Sequence, residues 1–142
     1  MADVAMVRNR LRMAIEAARR DAAERRRRAD EAARAYEAFV ARVATPAFRA
    51  MATVLKAEGI PFEVMSPAGG VRLAPARSRD QGIELALDTS VDPPRPTITT
   101  TVRRGSHGTA RERPVKGDVP IDELTEDDVI EMLLEELGPW LA

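Results

Sequence analysis

The chain has 142 residues, no cysteine and one histidine, and its 22 Lys and Arg stand against 23 Asp and Glu for a net charge of −1. This excludes a disulfide scaffold, thiolate or multi-histidine metal sites and a cysteine nucleophile. It also argues against a dedicated polycation, and no apolar run approaches the ~20 residues that a membrane-spanning helix needs.

Of 31 Leu, Ile, Val and Phe residues, seven precede residue 46 and 24 follow it, so the packed core is expected in the second part. Residues 1–58 carry a net +5, residues 59–117 a net +3 and residues 118–142 a net −9. A basic body with an acidic tail satisfies itself within one chain or across a dimer. The N-terminus lacks a continuous apolar segment of the secretory kind, and Asp3, Glu16 and Asp21 count against a transit peptide. The expected compartment is the cytoplasm.

Residues 3–44 hold neither Gly nor Pro and are rich in Ala, Arg and Glu, all good helix formers. At 100° per residue, Val4, Val7, Leu11, Ile15, Ala18, Ala22 and Ala29 share one stripe, with Arg25 its main intruder. The spacing repeats at eleven, through Val7, Ala18, Ala29 and Val40, which predicts a straight or slightly right-handed coiled coil rather than a left-handed zipper. Such a helix is ~60 Å long, whereas a compact chain of this size is ~37 Å across. The stripe therefore overhangs its own domain, and a homodimer or a partner protein is expected to cover it. A helical hairpin broken near Arg25–Arg28 is the rival arrangement. The run Arg25-Arg26-Arg27-Arg28 spreads around the helix rather than forming one patch. Acids at i,i+4 spacing, Asp21 for Arg25 and Glu24 for Arg28, with Asp30 and Glu31 following Arg26 and Arg27 in the less favoured order, give it a helix-stabilising role.

Thr45-Pro46 reads as an N-cap and first helical position, opening a short helix that Gly59 stops. Residues 1–44 thus form a helical stalk and residues 45–142 a small α+β domain. Five strands follow: 62–66, 71–73, 83–88, 97–103 and 109–115. Their short connections predict an antiparallel meander, with Phe62, Val64, Val71, Leu73, Ile83, Leu85, Leu87, Ile98 and Val102 facing inward. Thr125 with Asp128 marks the start of a last helix. Its buried stripe is expected to be Ile130, Leu133, Leu134 and Leu137, packed on one sheet face, with Gly138-Pro139 ending it.

No grouping carries recognisable catalysis, so no enzyme, cofactor or metal is expected. Ser106-His107 sits in a glycine-flanked turn without an orienting carboxylate. Asp127, Asp128 and Glu131 lack calcium-loop spacing and suit the helix dipole instead. Pro67-Ala68-Gly69-Gly70 precedes a strand, where a phosphate loop needs a helix, and Asp92–Pro96 reads as a stiff connector. The function expected is a non-enzymatic interaction module, an adaptor or chaperone-like accessory protein. The alternative is nucleic-acid binding by the basic hairpin 95–116, through Arg103, Arg104, Arg111 and Arg113. That ribbon has no aromatics for base stacking, and the acidic tail is able to neutralise it.

Overall fold

A computed structural model describes residues 3–142; Met1 and Ala2, the first positions of the expected stalk, lie outside the described residues. Helix α1 runs from Val4 to Phe39 without interruption at Arg25–Arg28. Asp3 caps it, its carboxylate accepting from the Ala5 N–H at 3.0 Å. A five-residue π turn, Val40–Ala44, leads straight into α2, Thr45–Ala57.

The expected N-cap at Thr45 is therefore corrected, because Ala44 and Thr45 both keep right-handed helical backbone. In a regular α-helix the Pro46 ring would strike the carbonyl four residues back. The π turn widens the ladder at that point, and the Thr45 N–H reaches the Val40 carbonyl. The result is one rod of 54 residues, about 80 Å long. By length and composition only, an 18-residue stretch of it, of mean hydropathy 1.3 and 33% buried within the protein, is long and apolar enough to cross a bilayer, which corrects the expectation that no run comes near that length; a core helix has the same character. The rod's buried residues Phe39, Ala44, Ala47, Phe48, Met51 and Leu55 belong to the protein's own core.

Gly59 ends α2 with φ +81°, the left-handed conformation that glycine adopts without penalty. The Ile60 N–H then bonds back to Leu55 and the Gly59 N–H to Lys56, the pairing of a Schellman stop. Strands β1 (Phe62–Met65), β2 (Val71–Pro75), β3 (Gly82–Asp88), β4 (Arg95–Arg104) and β5 (His107–Pro114) form one antiparallel meander in chain order. Gly70 is required at the β1–β2 turn, because a Cβ there would overlap the Leu85 carbonyl oxygen of β3. Ser106-His107 lies at the β4–β5 tip, where Arg104 pairs with His107 across the turn.

Helix α3, Glu126–Glu136, opens with a complete capping box. The Asp128 N–H donates to Thr125 Oγ1, and the Thr125 N–H to Asp128 Oδ2. The Thr125 N–H, then the Lys116 ammonium, holds the Asp128 carboxyl below the usual carboxylate range. Thr125→Ala removes one arm of the box and is expected to lower stability by about 1 kcal/mol, read as an earlier urea midpoint. A short turn of helix, α4 (Gly138–Leu141), follows. It sets Trp140 edge-on to Phe62, with ring centroids 5.7 Å apart.

Helices α2 and α3 cover one face of the sheet. Phe48, Met51 and Leu55 from α2 and Val129, Met132, Leu133 and Leu137 from the C-terminal segment share a cluster with Phe62, Val71, Leu73, Ile83, Leu85 and Ile98. Two expectations are corrected here. Leu134 points outward at 54% exposure, and Met132 and Glu136 take the inward positions. Val64 and Leu87 are half-buried at the margin of the core, and Val102 is half-buried as well. Burial on α1 begins at Ala32 and continues through Tyr36 and Phe39, so the core takes in the lower end of the expected stalk. Tyr36 donates to the Leu85 carbonyl at 3.4 Å. Burial, then the nearby Glu84 charge, pushes its phenol up to about 12.

Candidate functional site

Above Ala32 the rod leaves the body. Its first 28 residues, about 40 Å of helix, carry a row of uncovered aliphatic side chains. Val4 is 71% exposed, Val7 52%, Leu11 58% and Ile15 39%. They sit within about 80° of the helix circumference at 100° per residue, together with Ala18, Ala22 and Ala29. Ala18 and Ala29 are exposed and Ala22 is half-buried. Helical spacing alone places these seven on one side, and among the described residues the four aliphatic ones stay exposed.

The arginine run is held locally. Arg27 pairs with Glu24 and, at 2.6 Å, with Glu31. Arg28 reaches Glu24 at 3.9 Å and Asp92 at 2.8 Å. The Arg27 hydrogen bond and charge hold Glu24 below the usual carboxylate range, and the Arg28 hydrogen bond does the same for Asp92. Among the described residues no ion pair joins Asp21 to Arg25 or Arg26 to Asp30. One carboxylate, Glu24, serves two arginines instead.

The Arg28–Asp92 pair ties the stalk to the β3–β4 connector beside a groove of about 710 Å³. The stalk base (Ala32, Ala35), the connector (Val91, Pro93) and the 117–122 segment (Val119, Ile121) line it. Glu31, Asp92, Asp118 and Asp122 place acids around these apolar walls. Sequence reasoning missed the groove because its walls come from three segments that are remote along the chain.

Three of the four hairpin arginines, Arg104, Arg111 and Arg113, share one face of the ribbon, and Arg103 stands on the other. Alternation along β4 and β5 puts Arg111 and Arg113 on the helix-covered face, opposite Thr100 and Ile98. Arg103 lies on the other face and bonds Asp80. Arg104 is exposed and lines a cleft of about 420 Å³ with Thr100, Val102 and Arg111. Arg111 meets Glu136 at 2.9 Å; Arg113 meets Glu135, and Glu136 at 3.3 Å. Lys116 meets Asp128 at 2.9 Å. The acidic C-terminal helix thus neutralises much of the ribbon.

Glu136 is the centre of this network. Its side chain is 1% exposed and also accepts from Thr100 Oγ1 at 2.7 Å. Burial pushes the carboxyl up, but the Thr100 and Arg111 hydrogen bonds, the Arg111 charge and Arg113 outweigh it and hold it below the usual range. The inward parity of Thr100, between Ile98 and Val102, was the available signal for a buried polar partner. Among the described residues no group of three or more His, Asp or Glu side chains is arranged to hold a metal ion. No protein-family model, curated protein or solved structure matches the chain.

Proposed function

We propose that the protein is a non-enzymatic interaction module, an adaptor or chaperone-like accessory protein, that self-associates through its N-terminal helix. The observation that supports this is the exposed row Val4, Val7, Leu11 and Ile15 on a helix that outreaches its own body. Covering four such side chains on each of two copies is worth on the order of 10 kcal/mol gross. The low end of the cost of lost translational and rotational freedom, about 4 kcal/mol, leaves about 6 kcal/mol, a dissociation constant of tens of micromolar.

Light scattering is expected to rise with concentration and to approach twice the 15.6 kDa chain mass at several hundred micromolar, roughly tenfold above that constant. The double substitution Val7→Asp with Leu11→Asp is expected to return the protein to a monomer. Both side chains are exposed in the single copy, so the unfolding free energy of the monomer should change by under about 0.5 kcal/mol. A strict monomer with its helix intact by circular dichroism overturns the reading. Nucleic-acid binding by the 95–116 hairpin draws less support, because Arg111 and Arg113 are already engaged by Glu135 and Glu136.

A further inference from the structure

Resting on that self-association reading, we infer that the two stalks pair antiparallel about a dyad at Ala18, each aliphatic tip lying on the alanine half of the other copy. The stripe from Val4 to Ala33 falls into layers under this pairing. Val4 faces Ala33, Val7 faces Ala29, Leu11 faces Arg25, Ile15 faces Ala22 and Ala18 faces itself. In each layer the two residue numbers add to nearly the same value, which antiparallel helices in register require. Every large side chain meets a small one, or the stem of Arg25, whose charged head extends to water. The helix separation therefore stays uniform along the contact. A parallel pair in register would set Val4, Val7, Leu11 and Ile15 against their own copies and alanine against alanine. The axes would then need the wide end of the usual 8–10 Å range at the tip and the narrow end at the base.

Charge points the same way. Residues 3–20 carry five arginines against two acids, and parallel pairing abuts these two basic tips. Antiparallel pairing instead sets each tip against residues 16–33 of the other copy, where six arginines are nearly balanced by five acids. Asp118 and Asp122 stand at the neighbouring groove and form no ion pair among the described residues. The overlap ends at Ala33, beside Ala32, where burial of the helix against the body begins.

The chain has no cysteine, so introduced thiols report only on themselves. Under the antiparallel pairing, a mixture of Val7→Cys and Ala29→Cys variants forms a mixed disulfide. The Val7→Cys variant alone does not, because its two thiols lie ~33 Å apart. Ala18→Cys alone cross-links to itself. The mixed 7–29 product is expected to exceed the 7–7 product by about tenfold or more. Dominant 7–7 cross-linking in a protein of dimer mass overturns the antiparallel inference and leaves self-association standing. Dimer mass with no cross-link in any of the three experiments overturns the register. Monomer mass overturns both readings.

Discussion

Replacing Phe48 with alanine is expected to lower the unfolding free energy by about 3–5 kcal/mol, the range for deleting a fully buried aromatic ring. Phe48 has no exposed surface. It stands on α2 in the same cluster as Leu73, Ile83 and Leu85 from the sheet and Leu133 from α3. Its loss leaves a void where sheet and both helices meet, and neither layer is able to close on it without leaving the other. A domain of this size has about 5–15 kcal/mol in total, so one ring decides a large share. Val54, on the same helix but 58% exposed, supplies the control. Val54→Ala is expected to change stability by under about 0.5 kcal/mol. Urea unfolding measures both, and equal midpoint shifts for the two variants would contradict this placement of the core.

Glu136→Leu is expected to cost about 2–3 kcal/mol, although it replaces a charge with an apolar group in a buried place. The Thr100 hydroxyl, itself 5% exposed, loses its acceptor and is left unpaired. Arg111 and Arg113 lose the carboxylate that holds β5 against α3. Arg111 is 72% exposed and rehydrates readily, which keeps the cost below that of breaking a fully buried pair. The same network makes stability depend on pH. The folded Glu136 carboxyl titrates below its ordinary value of 4.5. Its contribution is therefore complete above the unfolded value and is lost as pH falls through the folded one. Urea midpoints between pH 3 and 7 are expected to fall less steeply in Glu136→Gln than in the parent chain. Identical slopes would show that the carboxylate is not linked to folding.

Local chemistry is written in neighbouring residues, and that part of the molecule was legible from the sequence. Alternation located all five strands to within a few residues, because a strand's two faces differ in burial at every step. Thr125 and Asp128 marked the start of α3 because a cap is a contact between residues three apart. The overhang followed from length alone, since a rod longer than the domain it serves has to protrude. The aliphatic stripe on it is legible for the same reason: among the described residues, Val4, Val7, Leu11 and Ile15 stay exposed that far out.

Tertiary packing decided the rest. Proline at position 46 signals a helix start when only its neighbours are considered. Here Ala44, Ala47 and Phe48 are all wholly buried, and keeping them on one continuous helix offsets the irregular turn at Val40–Ala44. The rotation of α3 about its axis was likewise undecided, since both Leu134 and Glu136 lie within reach of its buried side. The sheet beneath settles it. The end of α3 passes over Thr100, Arg111 and Arg113, a polar margin that takes a carboxylate and turns Leu134 to water. The groove at the stalk base exists only because segments about 60 and 90 residues after Ala32 return to it. A sequence specifies what each segment tends to do by itself, whereas which remote segment lies opposite depends on how all of them pack together.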